Sequence, residues 1–408
     1  MAYSVLDIDP RDLLTKAFSR VLKPIEQARG LPNYIYLNQS AYEQECDRIF
    51  ADGWTCIGFT KDVSGPKNAF PVYVAGRPLL MVRSKDGTIQ VFHNVCQHRG
   101  RILIEEPMTL GSAIVCPYHS WAYDFDGALI KTPHVGGVGK HSYPSLNKDE
   151  IHLKKVRSAQ WFGLVFVDLS GVAEEFDDFI TPIAVRWEKF ASVPLVHTGD
   201  DCTITFELDC NWKLAVENYC EAYHLPWVHP ELNHHSPLEH HYNIVETGYS
   251  GQISESYVPS FPEATLTFPH APNLPSTWGT RAEYVALFPN ILLGIHRDYF
   301  FAVLILPSGP VRTCERFEIF YFDETVSEPA YDASRAANRD LWETIFNEDR
   351  SAIEAMQRGR QSTNFDGGIF SPVMDPPTHA FHSWIARAWT TGRTSLNDRP
   401  AAKETEAE

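Results

Sequence analysis

Two cysteines and two histidines fall in one short register: Cys96-Gln97-His98 and, after 17 residues, Cys116-Pro117-Tyr118-His119. Each half offers one thiolate and one imidazole, and strand-like runs on either side would set both halves at loop tips. Folded together, the tips present two sulfur and two nitrogen ligands. Such a set suits either a structural zinc ion or a [2Fe–2S] cluster with one iron on two thiolates and the other on two imidazoles. Zinc sites usually pair like with like, C-x₂₋₄-C with H-x₃₋₅-H. Mixing Cys with His inside each half suits the cluster. Imidazole ligands raise the potential of such a centre, so it could take an electron from a ferredoxin or reductase and pass it to a more oxidising iron.

A second concentration of chemistry runs from Asn211 to His229. Read as one helix, Glu217, Glu221 and His224 share a face at i, i+4 and i+7. His229 would then lie about 140° around from His224, at ~100° per residue. Pro226 is expected to break the helix there and let a turned segment aim both imidazoles at one metal. Two histidines need a carboxylate to complete a facial triad that leaves positions open for oxygen. The downstream run Asn347-Glu348-Asp349-Arg350 supplies it, with Asp349 chosen and Glu348 its competitor. Acidic pairs on long helices are usually a solvated face, and a lone His-x₄-His is usually structural; the first site in the same chain reverses that weighting. The histidines His234, His235, His240 and His241 read as a polar rim. Cys46, Cys56, Cys202, Cys210, Cys220 and Cys314 show no ligand spacing and read as buried thiols.

The elements that must position these groups follow from periodicity. Residues 10–50 have helical spacing at Leu13, Leu14, Phe18 and Leu22, interrupted by Pro24, Gly30 and Pro32, with a second short helix from about Ser40. From Cys56 to about Asp168 short apolar or alternating runs alternate with turn signals, notably Lys85-Asp86-Gly87 and Asp124-Phe125-Asp126-Gly127. Beyond lie a strand-like TITFEL, a helical stretch from Asn211 to His224, and a His-, Pro-, Ser- and Gly-rich segment, Pro226 to Pro275, expected as irregular connections. Strand signals return in NILLGIHRDYFFAVLIL and ERFEIFYFD, followed by a long helix from about Glu328 to Gln361.

Composition limits the function classes. A hydrophobic content of 44% with 21% charged residues excludes wholesale disorder, and a formal charge of −17 leaves no basic stripe for nucleic-acid phosphates. No stretch approaches the roughly 18 apolar residues of a membrane span, and the N-terminus lacks the apolar core of a signal peptide. Eight cysteines in 408 residues make no disulfide framework, so a cytoplasmic home is expected.

With both sites in one chain, the sequence resembles the Rieske non-haem iron, aromatic-ring-hydroxylating oxygenases, specifically their α subunits, from about Tyr42 to Gly359. The resemblance rests on C-x-H…C-x-x-H, on Asn211-Trp212-Lys213…Glu217-Asn218, on His224…His229, and on the Glu-Asp…Gln-Arg-Gly run near Asp349. It implies an α+β chain: an all-β Rieske [2Fe–2S] domain (51–170) inserted beside a helix-grip catalytic domain of antiparallel sheet and long helices (171–395). An N-terminal helical segment (1–50) would pack on the catalytic domain, and 396–408 would be a flexible tail. Cys96, His98, Cys116 and His119 are implied as cluster ligands, and His224, His229 and Asp349 as ligands of a mononuclear non-haem Fe(II).

The same resemblance implies a homotrimer in which electrons cross between subunits, with Glu221 bridging His224 to His119 of the partner subunit. Electrons would come from NAD(P)H through a separate flavin/iron–sulfur reductase, with O₂ and a small molecule as substrates. The family's usual bridging residue is aspartate; glutamate looks like the branch of carnitine and glycine betaine monooxygenases, although Ala222 and Leu225-Pro226-Trp227 do not reproduce that branch closely. The implied function is a terminal oxygenase that hydroxylates or demethylates a quaternary ammonium or N-methylated compound. The alternatives are an aromatic-ring-hydroxylating dioxygenase α subunit and, more remotely, a Rieske electron carrier. Tyr219, Tyr223, Trp227, Phe288, Tyr299 and Phe301 are candidates to line the pocket, as a cation cage, a slot for an aromatic ring, or simple core.

Overall fold

The computed structural model describes residues 10–259 and 265–391; the tail expected at 396–408 lies outside them. The chain forms two compact units, one of residues 53–173 and one that joins residues 10–52 to 174–391.

The first unit is all-β, as expected. Its larger sheet runs in the spatial order Trp54–Phe59, Leu164–Asp168, Lys155–Trp161, Ile89–His93, Arg77–Arg83, Asn68–Val74 and Met108–Thr109. A smaller sheet joins Ile114–Val115, Ala122–Tyr123 and Leu129–Lys131. Both turn signals read in the sequence make hairpins for a visible reason. Asp124 Oδ1 accepts the N–H groups of Asp126 and Ala128 at 3.0 and 2.8 Å, and Gly127 takes φ +92°, which a side chain would resist. The core under the smaller sheet collects Phe92, Leu103, Trp121, Tyr123 and Leu153 around Cys96 and Cys116.

The second unit carries a seven-stranded antiparallel sheet in the order Thr203–Leu208, Arg312–Tyr321, Tyr299–Gly309, Ile291–Ile295, Ala282–Leu287, Tyr249–Ser254 and His241–Glu246. Helices Trp212–Cys220, Asp332–Gly359 and Pro376–Thr391 pack on it. The α+β expectation of an antiparallel sheet with long helices therefore holds. Gly294 is needed where it stands, because a Cβ there would come within 2.2 Å of the Phe301 ring lying across it. The N-terminal segment is tied to this unit by a fully buried ion pair. Lys213 Nζ lies 2.7 Å from Glu45 Oε1 and also donates to Ile35 O, while Trp212 Nε1 donates to Glu45 Oε2. A buried charge survives only with such complete partnering.

Three expectations need correction. The helix from Asn211 does not reach His224. It ends at Cys220, and Glu221 is extended at φ −125°, ψ 163°. The Glu221 carboxylate accepts the backbone N–H groups of Tyr223 and His224, which replaces the helical bonds and turns the chain. Glu217, Glu221 and His224 consequently do not share a helix face, and Glu217 points inward to Tyr36, Arg360 and His382. Pro226 does not break a helix; it occupies the first turn of a new one, Leu225–Val228, where its missing N–H costs nothing. The segment expected to be irregular also contains a hairpin, His241–Glu246 with Tyr249–Ser254.

Candidate metal centres and substrate cavity

In the β unit, the two Cys/His loops are built alike. Cys96 N–H donates to Arg101 O and Cys116 N–H to Trp121 O, both at 2.8 Å; Gly100 N–H returns to Cys96 O and Ser120 N–H to Cys116 O, both at 3.0 Å. Gly100 and Ser120, at matching places in the two turns, both take positive φ, +73° and +57°. The loops present His98 and His119 with ring centroids 4.8 Å apart, and Trp121 stacks on His98 at 4.4 Å and 8°. The thiols of Cys96 and Cys116 are buried.

The zinc alternative makes a geometric demand. Four donors at bonds of about 2.0–2.3 Å around one tetrahedral ion would stand within about 4 Å of one another. Among the described residues, the group of three or more His, Cys, Asp or Glu side chains whose ligand atoms lie within 4.8 Å of one another is in the other unit. Two thiolates and two imidazoles spread over two loops fit a [2Fe–2S] cluster, whose two irons need separate pairs of ligands. The Tyr123 hydroxyl adds a polar contact there: it accepts Gln97 N–H at 3.0 Å and lies 3.4 Å from Cys96 Sγ.

That other group is His224, His229 and Asp349, whose ligand atoms all lie within 4.8 Å of one another. His224 stands at the start of the helix Leu225–Val228, His229 just past its end, and Asp349 on the long helix Asp332–Gly359. Asp349 Oδ1 is 2.9 Å from Nε2 of His229 and 3.5 Å from Nε2 of His224. Each imidazole is held from its opposite edge by another carboxylate. Glu221 Oε1 lies 2.7 Å from Nδ1 of His224, and Glu348 Oε2 lies 2.7 Å from Nδ1 of His229. Carboxylates on the Nδ1–H edge fix the tautomer that leaves Nε2 as the ligand atom, the usual support of metal-binding histidine. Asn218 Nδ2 donates to Asp349 Oδ1 at 2.7 Å and orients the third ligand. Of the acidic pair, then, Asp349 faces the two Nε2 atoms and Glu348 backs one imidazole.

Electrostatics agree with a cation site. Burial alone would lower the His224 pKa, yet hydrogen bonding and charge from Glu221, with Asp349, raise it; His229 is raised likewise by Asp349 and Glu348 against its burial. Two imidazoles and one carboxylate on one side, with the rest open, suit non-haem Fe(II).

A cavity of about 50 Å³ opens beside the three residues. Its walls include Tyr219, Tyr284, Trp342 and Phe346, and its other charged or titratable lining groups are Glu221, His224, His229, His241 and Asp349. Gln252 Nε2 donates to Glu221 O at 3.0 Å and Gln252 Oε1 meets Nδ1 of His241, whose Nε2 is 2.9 Å from Ser236 Oγ. His241 is therefore part of the cavity wall rather than a rim residue.

Of the aromatic candidates read from the sequence, Tyr219 lines the cavity, and its hydroxyl donates to Leu293 O at 2.9 Å. Tyr223 and Trp227 are exposed, at 43% and 71%, and Phe288 packs against Phe381 and Trp384. Tyr299 and Phe301 form the layer behind the wall. Tyr284, Trp342 and Phe346 were not anticipated. A signal for two of them exists: Trp342, Phe346 and Asp349 follow i, i+4 and i+7 on one helix, so they share a face.

Residues 193–391 match the family model of the ring hydroxylating alpha subunit (catalytic domain), and residues 53–144 that of the Rieske [2Fe-2S] domain. The chain is 26% identical to the chloroplastic choline monooxygenase of Arabidopsis thaliana over 375 residues, which cover 88% of this chain and 82% of the relative. It is 23% identical to the carnitine monooxygenase oxygenase subunit of Escherichia coli (strain K12) over 348 residues, 84% of this chain and 87% of that one. Among solved structures, the quaternary ammonium Rieske monooxygenase CntA in complex with L-carnitine superposes with a TM-score of 0.74 at 20% identity, covering 91% of this chain and 98% of that one. Naphthalene 1,2-dioxygenase from Rhodococcus sp. gives 0.71 at 18% identity, covering 95% and 99%. These two structures establish a shared fold.

Proposed function

Because the chain belongs to the Rieske-type ring-hydroxylating oxygenase α subunits, we propose that it is the terminal oxygenase of a monooxygenase for a small N-methylated or quaternary ammonium compound. One observation carries the substrate class. The cavity beside His224, His229 and Asp349 has four aromatic walls and acidic side chains, and no lysine or arginine among its lining residues. Phe346, Tyr219, Tyr284 and Trp342 form a row of ring contacts, with centroids 6.4 Å apart from Phe346 to Tyr219, 6.4 Å from Tyr219 to Tyr284 and 6.1 Å from Tyr284 to Trp342. Aromatic rings lining a cavity attract a desolvated alkylammonium that comes within about 6 Å of a ring centroid. The names of the choline and carnitine relatives point the same way.

Cys96, His98, Cys116 and His119 would hold the cluster, and His224, His229 and Asp349 the mononuclear iron. When bound, the cluster supplies single electrons and the iron the activation of O₂. The chain's own residues do the rest. Glu221 and Glu348 keep both imidazoles in the ligand tautomer, Asn218 orients Asp349, and the aromatic walls place the N-methyl group and exclude water. Glu221 would further serve as the bridge to His119 of the partner subunit in a homotrimer, with NAD(P)H electrons delivered by a separate flavin/iron–sulfur reductase. Among the described residues no helix is long and apolar enough to cross a membrane, and we place the protein in the cytoplasm, as the absence of a disulfide framework among its eight cysteines suggests.

Binding by the cluster- and iron-loaded protein tests the substrate class. Calorimetric titration with choline and with its neutral carbon isostere, 3,3-dimethylbutanol, should show the cation tighter by at least ~10-fold, the scale of a desolvated cation–π contact. Equal affinity for both, or binding only of aromatic acids, would remove the cation reading.

A further inference from the structure

A second, larger space lies beside the cavity at the metal-binding candidates. It is a recess of about 570 Å³, against about 50 Å³ for the cavity, and His241 and Gln252 line both. Along the preceding segment the two spaces are divided by backbone. The chain sends Glu221, Leu225 and Leu232 to the cavity and their neighbours Ala222, Pro226 and Asn233 to the recess. At His241 and Gln252, by contrast, the same side chain borders both spaces, so the division there is one side-chain layer.

The hairpin His241–Glu246 with Tyr249–Ser254 sets these two side chains together. Gln252 stands opposite Asn243 and Ser254 opposite His241 in its register, so all four project from one face. Burial holds the His241 imidazole below its ordinary pKa, so it is neutral, with one donor and one acceptor. Both are used. His241 Nδ1 meets Gln252 Oε1, and its Nε2 lies 2.9 Å from Ser236 Oγ, which lies 2.6 Å from Ser254 Oγ. At the other end Gln252 Nε2 donates to Glu221 O at 3.0 Å. The layer is a hydrogen-bonded chain anchored at both ends. Side chains tied in this way keep one position, because moving either leaves a buried donor or acceptor unpaired.

The sizes of the two spaces then matter. At roughly 10–15 Å³ for each water-sized group, the cavity has room for about four, an ammonium head with a short arm. The recess would take a long chain, and Leu238, Val373 and Met374 give it apolar surface. An alkyl chain is stabilised by burying each methylene, but only where it can reach such surface.

Resting on the cation reading above, we infer that His241 and Gln252 determine substrate length: they close the cavity against the recess, so that the site takes short N-methylated cations and rejects those with a long chain. Truncating either side chain joins the two spaces and admits the chain.

The test uses the cluster- and iron-loaded protein and two cations with the same head, tetramethylammonium and hexyltrimethylammonium, titrated by calorimetry. Wild type should bind tetramethylammonium at least ~10-fold tighter, although the hexyl chain is the more hydrophobic, since methylenes forced into a filled site are penalised. Gln252→Ala and His241→Ala should each reverse that order. Adding Asn243→Trp to Gln252→Ala puts an indole into the recess opposite position 252 and should cancel the reversal, to which a general loosening of the fold would not respond. Wild type binding the hexyl cation as tightly as the small one would overturn the inference while the cation reading stands, and needs no variant to fold. The wild-type order kept in both folded variants would overturn it too. So would a reversal that Asn243→Trp does not cancel, because the chain would then lie outside the recess. Failure of wild type to bind either cation would remove the cation reading itself, and the length limit with it.

Discussion

Glu221 Oε1 lies 2.7 Å from Nδ1 of His224, on the ring edge opposite the Nε2 that faces Asp349. The carboxylate is held in place from two sides. It takes the N–H groups of Tyr223 and His224, and its own carbonyl accepts from Gln252. A residue so fixed can transmit charge to the metal side of the imidazole without moving. Glu221→Gln keeps the shape and an acceptor for Nδ1–H but removes the charge. Iron and cluster content should stay at wild-type levels while turnover falls by ~10–100-fold, the usual cost of losing a carboxylate behind a ligand. Metal analysis beside steady-state rates checks this, and a wild-type rate would rule Glu221 out as the electron bridge.

Glu348 and Asp349 are adjacent but do different work, so their variants should differ in kind. Asp349→Ala removes a ligand and should leave the protein without mononuclear iron after dialysis. Glu348→Ala only frees the Nδ1 edge of His229 and should weaken iron by ~10–100-fold in chelator competition. Cluster absorbance should be unchanged in both. Equal iron loss in the two variants would contradict the division.

Tyr123 offers a handle on the cluster alone. Its oxygen is occupied by Gln97 N–H, so its own hydrogen is free for Cys96 Sγ. A hydrogen bond to a ligand sulfur favours the reduced, more negative state. Tyr123→Phe should lower the cluster potential by about 40 mV, taking ~1 kcal/mol per hydrogen bond and 59 mV per tenfold change for one electron. Potentiometric titration measures it; an unchanged or raised potential would show that the hydroxyl does not reach the sulfur.

Burial, with the charge of Asp349 beside it, pushes the Glu315 carboxyl up to about 8. In the unfolded chain it would ionise near 4.5. Below that pH both states hold the proton and nothing is gained or lost. Between 4.5 and 8 the unfolded state sheds its proton first, so stability falls as pH rises, and above 8 the loss is complete. Glu315→Gln should therefore melt near wild type at pH 5 and progressively above it towards pH 8, by a few kcal/mol at ~1.4 kcal/mol per pK unit. Thermal unfolding at the two pH values decides; a constant difference would mean Glu315 is ionised in the fold.

Residue type and spacing singled out the two Cys/His loops, while His224, His229 and Asp349 gained weight only beside that first site and the family resemblance; the structure brings these three together. Three things were not legible. The helix end at Cys220 carries no Gly or Pro; it comes from the Glu221 side chain capturing backbone N–H groups, which propensity does not register. The hairpin His241–Ser254 reads as loop because its residues are largely polar, and its pairing with Ala282–Leu287 is distant in sequence. The same non-local pairing brings Tyr284 to the cavity, a placement no local pattern encodes. Trp342 and Phe346 were readable from their helical register with Asp349, as was the C-terminal helix Pro376–Thr391 from its buried Phe381, Ile385 and Trp389.

The most direct measurement is a single turnover under ¹⁸O₂. Reduced, iron-loaded protein is mixed anaerobically with one trimethylammonium compound, then with labelled oxygen, and cluster absorbance and products are followed together. Monooxygenation of a cation in the aromatic cavity requires substrate-triggered cluster oxidation and one ¹⁸O atom in the hydroxylated product or the aldehyde it releases. Cluster oxidation that ignores the cation, or two labelled oxygens delivered only to an aromatic ring, would contradict it.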